Sequence, residues 1–482
     1  MGHMSHRRRI LVLAICCMSL LIVSLDNTVL NVALPAMRRD LGASVSGMQW
    51  TIDAYALVLA SLLIVAGSTA DRIGRRKVFT AGLVLFTAGS VLCSLAPGLE
   101  FLIAFRMIQA VGGSMLNPVA MSIITNTFTE PKERARAIGV WGGVVGISMA
   151  AGPLIGGLLV DSVGWRSIFW VNLPVGLLAL ALTLRYIPES RSERPRRPDP
   201  VGQLLVMVLL GTLTYGIIEG PAAGWTSGAI LGCGAAAVAA LTGLVVYESR
   251  RADPLIDPRF FRSAPFSGAT VLALGAFAAL SGFLFLNTLY LQDVRGLDAL
   301  HAGLWMLPMA TLAFLCAPVS GRLLASGGPR LPLLAAGVTM TASGLLFAAF
   351  SAERSAPLMF AGYALFGIGF GLVNAPITNA AVSGMPRSQA GVAAALASTS
   401  RQAGGALGVA VIGAVLAAGT AGGGDFAAAT RPAWWIITGL GLLVLVVGAA
   451  TTGPWALATA ARTAGELEPE RAPAPVGAPP RG

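Results

Sequence analysis

Charge is scarce in this chain of 482 residues, because only 11% of them are Asp, Glu, Lys or Arg. An ordinary soluble protein has about 25% charged residues. Hydrophobic residues make up 55% of the chain, and a soluble fold of this length cannot bury so large an apolar surplus, which must therefore face lipid. The same composition excludes extensive disorder, a coiled coil and a collagen-like fibre.

Histidine and cysteine are also scarce, with three His and five Cys. The cysteines lie within apolar runs and lack the spacing of metal ligands. We therefore expect no metal site, no cofactor and no catalytic constellation, and hence no enzyme. The phosphate-binding pattern G-x-x-x-x-G-K-[ST] is missing as well, so ATP is not expected to drive the protein directly. Residues 1–3 are interpreted as a tag remnant before a native start at Met4.

Long apolar runs dominate what is present. A membrane-crossing helix needs about 20 largely apolar residues, and 14 such runs predict an all-α polytopic membrane protein. They cover residues 10–35, 47–68, 78–96, 99–125, 137–160, 166–187, 200–219, 228–248, 265–290, 299–322, 331–351, 357–383, 392–418 and 432–453.

The basic residues predict the orientation in the membrane. The formal net charge is +11, but the Lys and Arg residues are concentrated in the short loops on the side of the N-terminus rather than in one dense patch. This is the pattern of the positive-inside rule and is not typical of a nucleic-acid-binding face. Both termini are therefore predicted to be cytoplasmic, as an even number of helices requires.

Composition also suggests the domain boundaries. We expect a cytoplasmic N-terminus over residues 1–9, a six-helix bundle over 10–187 and a charged cytoplasmic linker over 188–199. An inserted pair of helices would cover residues 200–250, and a second six-helix bundle 251–453. The tail, 454–482, is rich in Ala, Pro and Glu and is predicted to be cytoplasmic and disordered.

An internal repeat supports two related bundles. When Gly67 is aligned with Gly321, Gly74 also matches Gly328 and Arg76 matches Arg330. Each copy follows the second helix of a six-helix set, if runs 1–6 and 9–14 are the two sets. The second copy has Ala where the first has Asp71, so a charge lock is expected in the first half alone.

The first copy of this loop resembles the signature G-x-x-x-D-R-x-G-R-R of the major facilitator superfamily. The matching residues are Gly67, Asp71, Arg72, Gly74, Arg75 and Arg76. The resemblance implies the superfamily's fold, with two inserted helices added to the two bundles, and a conformational clamp at this loop. The alternative is a merely basic cytoplasmic loop.

Three further motifs resemble the 14-helix drug/proton antiporter branch of that superfamily. The end of run 1, from Leu25 to Pro35, is similar to L-D-x-T-V-x-N-V-A-L-P, and run 4 is similar to R-x-x-Q-G-x-G except that Ala110 replaces the first Gly. Run 5 resembles the antiporter motif G-P-x-x-G-G, with Ser148 where the longer form has Gly. The matching residues of run 5 are Gly152, Pro153, Gly156 and Gly157.

Ionisable residues inside the runs are the candidates for proton coupling, because such residues are costly in a membrane. Asp26 lies about 13 Å along the helix from Pro35, which favours a functional role over an interfacial pair with Arg38. Asp53 lies one turn into run 2 and could equally be a helix cap. Arg106 shares a helical face with Gln109 and is implied by the resemblance to act in proton transfer. A cationic or polar substrate would compete with the proton for Asp26.

Uncharged polar residues in the runs are candidates for a substrate cavity, with helix–helix hydrogen bonding as the alternative. They are Asn31, Gln109, Asn117, Asn287, Asn374 and Gln402.

The resemblance implies a proton-coupled exporter of drugs, antibiotics or similar amphipathic molecules, of the quaternary-ammonium or methylenomycin resistance type. It would work by alternating access in a bacterial cytoplasmic membrane. Its partners would be a small-molecule substrate, protons and the lipid bilayer, and we expect a monomer. A carrier of a lipid or endogenous metabolite on the same scaffold is the alternative. A membrane enzyme or sensor would need a catalytic constellation or a sensing domain.

Overall fold

The structure is a computed structural model that describes residues 5–192, 199–251, 254, 256–349, 355–383, 385, 390–420 and 426–467. Its 14 helices long and apolar enough to cross a membrane confirm the predicted polytopic all-α class, and the described residues contain no strand. The helices are α1 (His6–Leu41), α2 (Val45–Ile73), α3 (Arg75–Ser94), α4 (Leu99–Thr127), α5 (Pro131–Ser162), α6 (Asn172–Tyr186), α7 (Pro200–Ala223), α8 (Gly228–Ser249), α9 (Ala264–Leu289), α10 (Ala299–Gly327), α11 (Arg330–Ala349), α12 (Ala356–Val382), α13 (Ala390–Thr420) and α14 (Phe426–Ala450).

Short polar residues set the helix boundaries. Ser44 and Asp298 cap α2 and α10 by accepting hydrogen bonds from the backbone N–H groups of Gly47 and His301. Gly42 ends α1 with a φ of 60°, a conformation that glycine adopts without strain. The turn between α1 and α2 is therefore tight, since it comprises only residues 42–44.

Most contacts between the helices fall within two sets. In the first set, α3 and α2 lie along α4, and α1 lies along α5 and α6. In the second set, α13 lies along α9, while α11 packs on α14 and α12. The division of the chain into two bundles and an inserted pair stays a prediction.

The helices α7 and α8 pack on each other outside the two sets. Contacts join α7 to both α2 and α13, so it covers the line along which those two helices meet. Its hydrogen bonds go to α2: Trp50 donates to Glu219 at 2.7 Å, and Gln203 donates to the carbonyl of Ser61.

The two sets meet at one end. We call the membrane face at which α1 begins the basic face and the opposite one the far face. Asp161 accepts a hydrogen bond from Leu300 N at 2.8 Å, and Gln49 donates to the carbonyl of Ala410 at 2.8 Å. Arg38 pairs with Asp293 at 3.2 Å. These contacts lie in the far half of the helices, which places the described junction of the two sets at the far face.

The prediction of a disordered tail over 454–482 is wrong for its first part. A fifteenth helix, α15 (Pro454–Leu467), packs against the start of α9. Thr459 accepts a hydrogen bond from Ala264 N at 2.9 Å, and Arg262 pairs with Glu466 at 2.9 Å. The buried side of this helix is formed mostly by Ala and Thr, so the alternation of buried and exposed residues could not be recognised from hydrophobicity. Residues 468–482 lie outside the described residues, as do 1–4 and residues 193–198 of the predicted linker.

Candidate functional site

A buried ion pair lies at the centre of the first set of helices. Asp26 of α1 and Arg106 of α4 form a hydrogen-bonded salt bridge, and their side chains are 2% and 0% exposed. Both residues belong to the predicted proton-coupling set, and they meet although 80 positions separate them in the chain. A charge pair so completely removed from water is expensive unless further hydrogen bonds satisfy it.

Those further hydrogen bonds come from three helices. Gln109 of α4 and Asn172 of α6 each donate to Asp26 Oδ1 at 2.8 Å. Both amides also donate to Ser90 Oγ of α3, and Arg106 donates to Gln109 Oε1 at 2.7 Å. The Asp26 carboxylate therefore accepts hydrogen bonds from three side chains.

Arg106 is held on its remaining side by α2. Its Nε donates to the carbonyl of Thr51 at 3.3 Å, and its Cζ lies 4.1 Å from the centroid of the Tyr55 ring. Gly89 lets α3 approach this region closely, because a Cβ there would lie 2.7 Å from Gln109 Cα. Ser90, Asn172 and Tyr55 were not among the predicted site residues.

Asp53, the other predicted proton carrier, lies apart from this network. It is fully buried, and within the described part of the chain neither of its carboxylate oxygens has a hydrogen-bond partner. Gln49, one helical turn away on the same face of α2, contacts α13. Asp53 therefore lies on the side of α2 that meets the second set.

A small cavity lies between the sets, where α1, α5, α9 and α10 come together. Of the predicted cavity residues, Asn31 borders it, while the others do not. Its wall consists of Thr28, Asn31, Val32, Met149, Pro153, Leu284, Thr288, Met306, Met309 and Ala310.

The remaining cavity candidates lie elsewhere. Gln109 belongs to the Asp26 network. Asn287 donates to the carbonyl of Phe283 and accepts from the Tyr363 hydroxyl at 3.1 Å, which is the helix–helix alternative. Asn117, Asn374 and Gln402 are partly exposed. Asp26 does not border this cavity either, and the competition of substrate and proton for its carboxylate stays a prediction.

The antiporter motif of α5 is packed between the two sets. Gly156 faces α1, where a Cβ would lie 3.0 Å from Val29 Cγ1, and Gly152 faces Thr28. Gly157 faces α10 of the second set, where a Cβ would lie 2.7 Å from the carbonyl oxygen of Ala299. Pro153 meets α10 at Gly303 on the same side. The motif therefore allows close contact of α5 with both neighbours.

The predicted clamp residues surround the turn between α2 and α3 at the basic face. Asp71 accepts from Arg75 Nη2 at 2.8 Å, and the N–H of Arg76 donates to Glu189 Oε1 at 3.1 Å. Gly74 has a φ of 124°, and a Cβ there would lie 2.5 Å from that same oxygen. Arg72 is exposed, and a Cβ added at Gly67 would lie 3.7 Å from Pro118 Cβ. The described contacts of this turn therefore lie within the first set and with the segment that follows α6.

Comparison with known proteins agrees with this architecture. The sequence pattern of the Major Facilitator Superfamily matches residues 16–409. The chain is 40% identical over 413 residues to the multidrug resistance protein Stp of Mycobacterium tuberculosis, covering 86% of this chain and 77% of that protein. It is 39% identical over 400 residues to the tetracenomycin C resistance and export protein of Streptomyces glaucescens, covering 82% and 74%. It is 36% identical over 397 residues to the methylenomycin A resistance protein of Streptomyces coelicolor, covering 82% of each chain. The chain therefore belongs to the major facilitator superfamily and is a multi-pass membrane transporter.

Proposed function

We propose that this superfamily member exports drugs or antibiotics in exchange for protons, with Asp26 as the main proton carrier. The observation that carries the proposal is the buried pair of Asp26 and Arg106. Ionisable residues inside a membrane are expensive and are retained where ions or protons move. The named relatives, which confer resistance to several drugs or export one antibiotic, support the choice of cargo.

The pair suits reversible proton binding because its energy depends strongly on charge. The ionised carboxylate gains Arg106 and two amide donors, whereas the protonated carboxyl loses most of the attraction to the guanidinium. A displacement of α4 relative to α1 would break this pair, and in our proposal it accompanies proton binding at Asp26.

The position of the junction between the sets supports a proposal of alternating access. The described contacts close the far face, and the distribution of Arg makes the basic face cytoplasmic. In this inward-facing arrangement Asp26 is paired, as expected after it has released its proton to the cytoplasm. Both termini then lie on the cytoplasmic side of a bacterial cytoplasmic membrane.

Coupling passes through α1 rather than through a shared carboxylate. One face of α1 carries Asp26 into the ion-pair network, and another carries Thr28 and Asn31 to the cavity wall. The Thr28 hydroxyl also lies 3.2 Å from the carbonyl oxygen of Ser148 in α5. In this proposal, protonation of Asp26 breaks its ion pair with Arg106 and frees α1 to move. That movement displaces Thr28 and Asn31 and so changes the shape of the cavity.

Proton release from the purified protein tests the assignment. Addition of a transported drug to a weakly buffered sample should release protons from the unaltered protein and from Asp53→Asn, but not from Asp26→Asn. If Asp26→Asn releases protons normally while Asp53→Asn does not, the two roles must be exchanged. If neither drug-induced release nor drug transport occurs but lipids stimulate release, the export of drugs is the wrong function.

A further inference from the structure

The helix α15 runs along the basic face instead of extending away from it. Thr459 accepts a hydrogen bond from the backbone N–H of Ala264, the first residue of α9, at 2.9 Å. Leu467 belongs to a buried apolar cluster with Phe266 and Leu396, which lie near the beginnings of α9 and α13. These two contacts are separated by about 12 Å along the axis of α15, yet both are with the beginnings of membrane-crossing helices. The axis of α15 therefore lies roughly parallel to the membrane surface.

The start of α15 is continuous with a surface that faces lipid. The helix begins at Pro454, shortly after α14 ends at Ala450. The outer face of α14 carries Leu442 and Val446, whose side chains are exposed. Exposed apolar side chains on a membrane-crossing helix face the hydrocarbon of the bilayer. The helix α15 therefore starts where this lipid-facing surface reaches the basic face.

The side chains of α15 are distributed over three faces, as the helical spacing of its sequence requires. The buried stripe that packs on the protein consists of Ala456, Thr459, Ala460, Thr463 and Leu467. A second face carries Arg462 and Glu466, and both are exposed. The third face carries Leu457, Ala458 and Ala461, which are exposed, and it has no charged residue. We call this third face the apolar face of α15.

We propose that α15 is an interfacial helix whose apolar face rests on the lipid leaflet at the basic face, with Arg462 binding the headgroups of anionic phospholipids. An amphipathic helix that lies in the plane of the interface buries its apolar side chains at the boundary between headgroups and acyl chains. Leu457 is 56% exposed on the protein, so the leaflet is the apolar surface available to it. This contact does not depend on which molecule the protein transports.

The arginines near α15 provide the attraction to anionic lipid. Arg262 and Arg259 precede α9, and their side chains are 66% and 49% exposed. Their acidic partners are Glu466 and Asp257. Arg462 is exposed as well and has no acidic partner within the part of the chain that the structure describes. The arginines therefore outnumber the acids here, and a basic segment at the membrane surface is attracted to anionic headgroups.

Spin labels on exposed positions of α15 measure its depth in the membrane. Single labels replace Leu457, Ala461 or Arg462 in the full chain without the native cysteines. The protein is reconstituted in vesicles of phosphatidylcholine alone or of equal parts of phosphatidylcholine and phosphatidylglycerol. Power saturation compares collisions with oxygen, which concentrates in lipid, and with a water-soluble nickel chelate. We expect the ratio of oxygen to nickel accessibility to be at least about threefold higher at Leu457 and Ala461 than at Arg462. This ratio should rise further with phosphatidylglycerol.

Substitutions at two exposed positions test the causes of this contact. With the label at Ala461, Leu457→Asp should lower the accessibility ratio to the value found at Arg462. Leu457→Phe is the matched control and should keep the ratio high, since both changes leave the buried stripe intact. Arg462→Gln should remove the increase that phosphatidylglycerol causes.

The outcomes separate a lipid leaflet from other surroundings of α15. Uniformly high nickel accessibility at the three labelled positions would place the helix in water and overturn the proposal. Low accessibility to both reagents, with dipolar broadening between labels at Leu457, would show that a second copy of the chain covers the apolar face instead. A ratio that does not respond to phosphatidylglycerol, or that responds equally in Arg462→Gln, overturns the binding of anionic headgroups by this arginine.

Discussion

The ion pair between Asp26 and Arg106 makes each side chain depend on the other for its burial. Removing one partner leaves an uncompensated charge, which costs about 3–5 kcal/mol in a buried pair, whereas replacing both by neutral groups is often tolerated. This asymmetry separates the energetic role of the pair from that of either residue alone.

We therefore predict that Arg106→Gln strongly lowers the thermal unfolding midpoint in detergent, and that adding Asp26→Asn to it restores most of the loss. The double variant keeps the amide network around Ser90 but has no orphan charge. It should still fail to couple protons to transport. If the double variant is as unstable as the sum of the two single changes, the charges do not compensate one another.

Some residues of this site could be predicted from the sequence, and others could not. Asp26 and Arg106 could be identified because a charge within an apolar run is rare. Ser90 and Asn172 could not be assigned in the same way, because small polar residues in membrane helices commonly bond to their own backbone. Ser19 and Thr51 do so in this structure. Which polar residues share a network depends on how four helices pack, and the local pattern does not fix that packing.

At the scale of the helix, α5 shows what the glycines of the antiporter motif provide. Gly157 lies against the backbone of α10, and a Cβ there would meet the Ala299 carbonyl oxygen at 2.7 Å. Gly143, on the same helix, has open space where a Cβ would be. The pair is therefore a matched test of close packing against helix propensity, since Ala is favoured over Gly in a helix by about 1 kcal/mol.

Gly157→Ala should force α5 and α10 apart at the far face and reduce transport, while Gly143→Ala should leave transport unchanged. Spin labels at Val163 and Val294, both exposed at the far face, measure the separation. A longer mean distance in Gly157→Ala alone is expected. Identical distances and transport in the two variants would show that this contact is not needed.

Prediction from sequence succeeded for the helices that cross the membrane and was wrong for α15. A crossing helix is specified by a long apolar run, which composition alone reveals. The α15 helix is short and depends on contacts with the start of α9, such as that between Thr459 and Ala264 N. Such contacts are long-range, so the Ala- and Glu-rich sequence read by itself suggested disorder.

At the scale of the whole molecule, corresponding positions in the two sets of helices carry residues of different chemistry. Arg106 and Tyr363 lie at the same distance from the first residues of α4 and α12. In the first set this position carries the charge of the ion pair. In the second set the Tyr363 hydroxyl donates to Asn287 Oδ1, and the Tyr363 ring packs edge-on against Phe283 and at a tilt against Phe347. The proposed proton chemistry is therefore confined to one half, and the second half supplies a largely apolar core.

The transporter is proposed to alternate between a state open at the far face and a state open at the basic face. Contacts at the two membrane faces should therefore decide which state is more populated. At the far face, Gln49 donates to the carbonyls of Val409 and Ala410. At the basic face, the expected role of Asp71 is to hold the closed arrangement in which the clamp reaches the second set. In the present arrangement Asp71 pairs with Arg75 of its own set. The two faces should therefore respond to substitution in opposite directions.

The last prediction is that Gln49→Ala shifts the population towards the state open at the far face, whereas Asp71→Asn shifts it towards the state open at the basic face. Gln49→Ala removes two hydrogen bonds, each worth about 0.5–1.5 kcal/mol, and a coupling of about 1–3 kcal/mol changes a two-state ratio by roughly 5- to 150-fold. The labels at Val163 and Val294 report on the far face, and labels at Ile73 and Leu331 report on the basic face, in a background without the native cysteines. The double variant should return towards the unaltered distribution, because both changes act on one equilibrium. Shifts that appear at one face only, or that add in the same direction, would mean that the two contacts do not bias a common switch.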